Sequence, residues 1–197
     1  MTKTLYLMRH GQTLFNKRHR IQGWCDAPLT DLGVYQAQVA GQYFKNAGIT
    51  FDAAYSSTSE RACDTLEIVT NGSLSYQRVK GLKEWNFGTF EGESEDLNPP
   101  LPYEDFFVTY GGESQDQVRD RMAATILQLI QETKGKSVLM VSHGGAMANF
   151  ARAWEDNWRL DNLGHMTNCG ILKFSFEDDQ FYLEEAIGHD FSGWEEK

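Results

Sequence analysis

Two short apolar segments of the chain each run directly into a histidine followed by a glycine. They read LYLMRHG at residues 5–11 and VLMVSHGG at residues 138–145. A neutral imidazole can attack phosphorus, and the phosphohistidine that forms can pass its phosphoryl group to water. A single histidine after a strand is often only a hydrogen-bonded loop residue. The repeated layout at His10 and His143 favours a catalytic pair.

Two arginines add positive charge near these histidines. Arg9 directly precedes His10, and Arg61 falls in the first turn of a predicted helix. A guanidinium binds phosphate oxygens in bidentate fashion and keeps its charge at any working pH. Arg61 could also be a helix-surface residue, but a cation in a first turn opposes the helix dipole and indicates an anion nearby. These residue types predict a pocket for a dianionic phosphoryl group.

Alternating strand-like and helix-like segments must position these side chains. Short apolar or alternating runs predict strands at residues 4–8, 51–55, 74–79, 137–142, 170–176 and 180–186. Apolar residues spaced by three and four predict helices at residues 31–47, 114–133 and 144–154, and one more that follows the hydroxyl-rich residues 56–59 and ends near residue 70. Residues 11–29 are predicted to be a loop. This alternation indicates an α/β fold, a three-layer αβα sandwich with a mostly parallel central sheet.

The candidate catalytic side chains follow the ends of predicted strands. Ligands of such sheets bind at the carboxyl ends of the strands, where helix N-termini offer free N–H groups to anions. If the strands at residues 4–8 and 137–142 are neighbours, then Arg9, His10 and His143 converge at one edge of the sheet. Arg61, just after another strand, points toward the same edge.

Bulk properties narrow the class of protein. The 197 residues fit one domain, residues 1–197, and the formal net charge of −10 argues against a nucleic-acid or anionic-membrane partner, since both need a basic face. No apolar stretch approaches the ~18 residues that span a bilayer, and the N-terminus lacks signal-peptide anatomy, so a cytoplasmic protein is expected. Three cysteines lie far apart and are expected to be reduced: Cys25, Cys63 and Cys169.

Six motifs in a fixed order resemble the histidine phosphatase superfamily, also called phosphoglycerate mutase-like. They are RHGQT with Asn16, QGWCDAPLTDLG, YSSTSERACDT, LKEWNFGTFEG, YGGES and VSHGG, spread from residue 9 to residue 145. RHG alone would be a weak signal, but the order and spacing of all six cover most of the chain. The resemblance implies a phosphoglycerate mutase-like fold.

The resemblance also implies a role for particular residues. It implies His10 as the phosphorylated nucleophile and Glu84 as the proton donor to the leaving oxygen. Arg9, Arg61 and His143 would form the phosphate pocket, and the implied substrate-binding residues are Asn16, Gln22, Gly23 and Gly144. No metal and no cofactor are expected, because arginines and imidazoles can stabilise the transition-state charge that Mg²⁺ would otherwise meet. The expected partner is a small phosphorylated metabolite.

The reaction itself stays open between a phosphatase and a mutase. Residues 84–113, here called the lid, are acidic and aromatic, and from Glu84 to Val118 the chain has nine acidic residues and no lysine or arginine. Such a lid would repel a second anionic group on the substrate, which favours a phosphomonoester phosphatase over a phosphoglycerate mutase. The lid aromatics could form a local core or contact an apolar part of the substrate. Arg20 reads as part of a solvated basic patch, although its loop could offer charge to a second anionic group.

Two further classes of protein compete with these enzymes. A binding module could hold a phosphate or phosphorylated protein without turnover, but binding alone needs the arginines and not a placed acid such as Glu84. A metal hydrolase could use His10, His143 and Glu84 as ligands, although their spacing matches no common metal motif.

Overall fold

One mixed sheet runs through the middle of the molecule. The computed structural model describes residues 2–164 and 166–195. The strands are β1 (Lys3–Arg9), β2 (Ala53–Ser57), β3 (Gln77–Val79), β4 (Ser137–Ser142), β5 (Ile171–Glu177) and β6 (Gln180–Ile187). Their order is β3-β2-β4-β1-β5-β6, in which the first four run parallel and β5 and β6 pair antiparallel. The predicted mostly parallel sheet is confirmed.

Helices cover both faces of this sheet. They are α1 (Leu14–Lys17), α2 (Asp31–Asn46), α3 (Glu60–Val69), α4 (Gln115–Glu132) and α5 (Gly144–Arg152). Because successive strand residues point to opposite faces, Leu5 and Leu7 of β1 pack with α4 and α5, whereas Tyr6 and Met8 pack with α2 and α3. Burial on both faces explains why β1 and β4 read as continuous apolar runs. The three-layer αβα sandwich is confirmed.

The predicted loop at residues 11–29 contains one helical turn, α1. Thr13 caps it, because its side chain accepts the Asn16 amide and the Asn16 side chain accepts the Thr13 amide. A four-residue turn is too short to show helical periodicity, which is why the pattern did not reveal it. The turn holds Asn16 beside the end of β1.

Strand β2 begins two residues later than predicted. The Asp52 amide donates to the Ser137 carbonyl, and the Asp52 carboxylate accepts the amides of Lys136 and Ser137, so the chain is anchored to β4 before the strand starts. Phe51 packs its ring on Phe44 of α2, with centroids 4.9 Å apart. The apolar character of Phe51 therefore reports core packing and not strand membership.

The lid is built from short 3₁₀ turns around an aromatic cluster. In the lid the structure describes 3₁₀ turns at Gly88–Phe90, Glu95–Leu97 and Phe106–Tyr110, and outside it at Lys80–Leu82 and Glu155–Asn157. Phe107 is fully buried at the centre of the cluster, and its ring centroid lies 4.8 Å from that of Phe87 and 5.3 Å from that of Tyr103. Edge-to-face contacts of this kind stabilise aromatic cores. The lid aromatics thus form a local core, and some of them also line the cleft described below.

Two further expectations concern the chain as a whole. In residues 2–164 and 166–195, no helix is long and apolar enough to cross a membrane. All three cysteines are free, in agreement with their wide spacing, and Cys63 and Cys169 are buried.

Candidate active site

The two strand-end histidines meet at one edge of the sheet. Arg9, the last residue of β1, pairs with Ser142, the last residue of β4, so His10 and His143 leave the sheet side by side. The His10 amide donates to the Ser142 carbonyl at 3.1 Å, and the two imidazole centroids lie 5.1 Å apart. The structure therefore brings both imidazoles and Arg9 together.

His10 is held as a neutral imidazole whose Nε2 carries a lone pair and no proton. Its Nδ1 lies 2.7 Å from the Gly11 carbonyl oxygen, which can only accept, so Nδ1 carries the proton and Nε2 does not. The side chain is buried, and burial, followed by the charges of Arg61 and Arg9, holds the His10 pKa well below its usual 6.5. Nε2 therefore has the protonation state that a nucleophile requires.

Arg61 lies against this lone pair. Its guanidinium is fully buried, and its Nε donates to Nε2 of His10 at 3.3 Å. The residue stands in the first turn of α3, as the sequence predicts. A fixed guanidinium in this position can donate a hydrogen bond to an oxygen of a phosphoryl group that is bonded to Nε2.

His143 is the imidazole beside His10, and it is predicted to belong to the phosphate pocket. Its Nε2 lies 2.8 Å from the Ser57 hydroxyl, at the end of β2. Burial is the main cause that holds the His143 pKa well below 6.5, and the charge of Arg61 adds to it. The ring precedes α5, so the pocket also faces a helix N-terminus.

Three buried nitrogens at this edge have no hydrogen-bond partner among the described residues. They are Arg9 Nε, Gln22 Nε2 and His143 Nδ1. Buried polar groups are normally paired, so a cluster of unpaired nitrogens calls for an explanation. An anion with several oxygens, such as a phosphoryl group, bound at this edge would supply acceptors for N–H groups of this kind.

Glu84 sits on the N-terminus of α5. Its Oε2 accepts the Gly145 amide at 2.9 Å, and its Oε1 accepts the amides of Ala146 at 2.7 Å and Trp85 at 2.8 Å. The carboxylate is buried but borders the same cleft as His10. These bonds fix its orientation relative to the helix that follows His143.

Arg121 of α4 secures the backbone that carries Glu84. Its guanidinium donates to the carbonyls of Gly81, Lys83 and Glu84 at 2.9 to 3.1 Å. The same guanidinium pairs with the Glu113 carboxylate at 2.8 Å, at the end of the lid. Arg121 thus ties α4, the Glu84 segment and the lid to one another.

A cleft of about 560 Å³ opens from these residues. Its inner end is lined by Arg9, His10, Asn16, Gln22, Glu84 and Gly144. Its wider part has aromatic and apolar walls from two segments: Trp85, Phe87, Leu101 and Tyr103 of the lid, and Trp158, Leu163 and Met166 opposite. Arg20, Glu95 and Arg152 also border it. The cleft is far larger than a phosphate ion, so it can take the organic part of an ester.

The predicted pocket residues fall into two groups. Arg61 and His143 are fully buried and lie behind the cleft lining, and Gly23 lies with Arg61, whose Nη2 donates to the Gly23 carbonyl at 2.8 Å. Asn16 and Gln22 border the cleft as expected. A Cβ at position 144 would lie 3.3 Å from Arg9 Nε, so glycine there leaves room around that guanidinium.

Three carboxylates of the acidic lid have hydrogen-bond or ion-pair partners. The Glu84 carboxylate accepts hydrogen bonds from three amides, and the Glu113 carboxylate pairs with Arg121. The Glu91 carboxylate accepts the amides of residues 23–25 and 87. Two arginines from outside the lid, Arg20 and Arg152, border the cleft. Of these three carboxylates, Glu113 is paired with a cation and the other two accept neutral amides, so the expectation that the lid repels a second anionic group stays a prediction.

Several residues of this site escaped the sequence analysis. Four of them contact the predicted pocket residues, and the first three stand inside the motifs named above: Asp26, Glu91, Ser57 and Arg121. Asn168 donates to the His10 carbonyl from 158 residues away, and no local pattern marks it. In the described ranges, no group of three or more His, Cys, Asp or Glu side chains is arranged to hold a metal ion.

Sequence comparison with known proteins identifies a family and individual relatives. The model of the histidine phosphatase superfamily (branch 1) matches residues 5–187. A metal-independent phosphoserine phosphatase of Arabidopsis thaliana is 28% identical over 211 residues, which cover 89% of this chain and 88% of that protein. A 2,3-bisphosphoglycerate-dependent phosphoglycerate mutase of Brucella anthropi is 32% identical over 186 residues, with 87% and 90% covered.

A solved structure gives the same result in three dimensions. The phosphoserine phosphatase of Entamoeba histolytica, in complex with 3-phosphoglyceric acid, superposes with a TM-score of 0.76 at 28% identity. The match covers 94% of this chain and 97% of that one. Together with the convergent His10, Arg61 and His143, these matches place the chain in a family: it belongs to the histidine phosphatase superfamily.

Proposed function

We propose that this protein is a phosphomonoester phosphatase that transfers a phosphoryl group first to His10 and then to water. The observation that carries the proposal is the state of His10. Its ring is buried, its Nδ1 proton is bound to the Gly11 carbonyl, and its Nε2 lone pair faces the Arg61 guanidinium. Attack on phosphorus needs such a lone pair beside a fixed positive charge.

In the first half of the reaction, Nε2 of His10 bonds to phosphorus while the bond from phosphorus to the ester oxygen breaks. Glu84 borders the same cleft and gives a proton to the departing oxygen. Arg9, Arg61 and His143 stabilise the negative charge on the three transferring oxygens. The Nε of Arg9 and the Nδ1 of His143, both without partners in the described structure, suit this role.

In the second half, water attacks phosphorus and the bond to Nε2 of His10 breaks. The Glu84 carboxylate accepts the proton from the water, which returns both residues to their starting states. The positive charge of the arginines and the α5 N-terminus supports a reaction without a metal ion.

The substrate is a small phosphorylated metabolite. The 560 Å³ cleft and its apolar walls support an organic leaving group, and Trp158, Leu163 and Tyr103 would contact it. Relatives named phosphoserine phosphatase and phosphoglycerate mutase support the same size class.

The test is hydrolysis of p-nitrophenyl phosphate with a strong chelator present, between about pH 4 and pH 8. We expect His10→Ala and Glu84→Gln each to lose most of the turnover, and acid-labile phosphate to be trapped on the wild-type protein. Matched controls are His19→Ala and Glu93→Gln, which change exposed side chains. A wild type that forms no phosphohistidine and hydrolyses no ester in a broad panel would refute the proposal and leave a binding module or a mutase that needs a primer.

A second candidate is phosphoglycerate mutase, which is favoured by the Brucella anthropi relative at 32% identity. Both reactions share the phosphohistidine and differ in whether water or a sugar acid accepts the phosphoryl group. Incubation with 3-phosphoglycerate and a trace of 2,3-bisphosphoglycerate separates them. Isomerisation much faster than phosphate release would assign the mutase, whereas phosphate release without isomerisation would assign the phosphatase.

A further inference from the structure

Arg61 is a fully buried cation, and most of its hydrogen bonds go to one loop, residues 23–26. Its Nη1 donates to the Asp26 carboxylate at 2.8 Å and to the Cys25 carbonyl at 2.9 Å, and its Nη2 donates to the Gly23 carbonyl at 2.8 Å. With the bond from Nε to His10, four of the five N–H groups of the guanidinium are oriented. A buried charge of this kind is stable only with a counter-charge and paired donors.

Asp26 supplies that counter-charge, and it is itself fixed. Its Oδ1 accepts the Ala27 amide at 3.1 Å, and its Oδ2 accepts the Glu60 amide at the start of α3. The carboxylate therefore joins the loop directly to the helical turn that carries Arg61. About a quarter of the Asp26 side chain is exposed (28%), whereas Arg61 is not exposed at all.

Glu91 of the lid shapes the same loop from the other side. Its two carboxylate oxygens accept the amides of Gly23, Trp24 and Cys25 at 2.7 to 3.0 Å, and also the Phe87 amide at 3.2 Å. Four amides around one carboxylate leave the loop little freedom to move. The loop thus presents its carbonyls and Asp26 to Arg61 in one arrangement.

We propose that Asp26 is a positioning residue for phosphoryl transfer, which acts by holding Arg61 against the nucleophile. The inference rests on the proposed function. In the resting site, Arg61 Nε donates to the Nε2 lone pair of His10, at 3.3 Å. As the nitrogen–phosphorus bond forms and the ester bond breaks, that lone pair is used in the new bond. The N–H of Arg61 then donates its hydrogen bond to a phosphoryl oxygen. A guanidinium clamped by Asp26 meets this oxygen without moving.

The neutral carbonyls of Gly23 and Cys25 cannot replace the carboxylate. They accept hydrogen bonds but do not balance a buried positive charge, so loss of the Asp26 charge lets the guanidinium shift toward other acceptors or water. Reaction rates are sensitive to such shifts, because misplacement by about 1 Å can cost about 100-fold. The expected effect therefore appears in kcat and in the affinity for phosphate.

The experiment compares Asp26→Asn and Asp26→Glu with Glu60→Gln, a matched control that removes an exposed carboxylate next to Arg61 in the chain. We expect Asp26→Asn to lower kcat by about 10- to 100-fold and to raise KM by no more than the loss of phosphate affinity. Asp26→Glu should retain more activity than Asp26→Asn, and Glu60→Gln should match the wild type. Inorganic phosphate binding, measured by calorimetry, should weaken about tenfold in Asp26→Asn.

A double variant shows whether Asp26 acts through Arg61. In an Arg61→Ala background, Asp26→Asn should reduce activity and phosphate binding no further. Wild-type kcat and phosphate affinity in folded Asp26→Asn, or an equal loss in both backgrounds, would overturn the proposal. If Asp26→Asn does not fold, Asp26→Ser, which also removes the charge, takes its place, and there wild-type kcat and phosphate affinity would overturn it.

Phosphate binding also separates this proposal from the proposed function. A wild type without turnover or phosphohistidine refutes the phosphatase, but the effect of Asp26→Asn on phosphate affinity still decides the role of Asp26. Unchanged affinity in that case overturns the positioning role.

Discussion

The imidazoles of His10 and His143 lie with their centroids 5.1 Å apart at the ends of two neighbouring parallel strands. Both rings are buried beside Arg61, and burial is the main cause that lowers both pKa values far below 6.5. Two neutral imidazoles can therefore lie next to two arginines, where two imidazolium ions would be repelled. The same arrangement makes folding depend on pH.

The free energy of unfolding should fall as the pH drops below about 6.5. In that range the unfolded chain binds protons on both histidines while the folded protein does not, so protonation favours the unfolded state. The expected slope is up to about 1.4 kcal/mol per pH unit for each histidine. Urea unfolding at about pH 7, 6 and 5 measures it.

Single substitutions of His10 and His143 test whether these two imidazoles cause the pH dependence of the free energy of unfolding. His10→Gln and His143→Gln should each flatten the pH dependence, and the matched control His19→Gln, at a side chain that is 83% exposed, should keep it. An unchanged slope in both active-site variants would show that other groups cause the acid sensitivity.

The Ser57 hydroxyl should be needed to orient His143. It accepts the Ser59 amide at 3.1 Å and lies 2.8 Å from His143 Nε2, so its proton can go to that nitrogen and leave the ring proton on Nδ1, toward the phosphate pocket. We expect Ser57→Ala to lower kcat about tenfold and the free energy of unfolding by about 1 kcal/mol. Ser56→Ala is the matched control, since Ser56 is buried on the same strand and its hydroxyl is unpaired within the described residues. Equal activity of the two variants would contradict this role.

The strand ends and their histidines could be predicted from the sequence because both depend on local pattern. The apolar run of β4 is bounded by polar residues at both ends, and its predicted limits of 137–142 agree with the structure. In such cases the residues that define an element lie next to one another in the chain. The pairing of β1 with β4 does not follow from local pattern, and only the fold shows it.

The support of the pocket could not be predicted, because it depends on partners far apart in the chain. Glu91 accepts the Gly23 amide across 68 residues, and Arg121 reaches the Glu84 carbonyl across 37. In the sequence, Glu91 and Glu113 count only as negative charges of an acidic lid. Their roles appear only when the fold shows which amides and cations they face.

Arg152 should favour substrates with a second anionic group. It is exposed and borders the cleft, and among residues 2–164 and 166–195 it makes one long hydrogen bond, of 3.4 Å, to Asn149. We expect Arg152→Ala to lower kcat/KM about two- to fivefold for phosphoserine or 3-phosphoglycerate and to leave p-nitrophenyl phosphate unaffected, because an exposed ion pair contributes up to about 1 kcal/mol. Arg159→Ala is the matched control, since Arg159 pairs with Glu184. An equal loss for all esters would argue against charge recognition at this position.

Phe107 should hold the lid in place over the cleft. It is fully buried, and its ring contacts Phe87 and Tyr103, which line the cleft from the lid side. We expect Phe107→Ala to lower the free energy of unfolding by about 3 to 5 kcal/mol, because it removes a buried ring and leaves a cavity between its partners. The neighbouring Phe106 is 37% exposed, so Phe106→Ala should cost clearly less. Urea unfolding of both variants, with KM for a bulky aryl phosphate, measures the effect. If Phe107→Ala lowers stability but leaves KM unchanged, the aromatic cluster stabilises the lid without shaping the cleft.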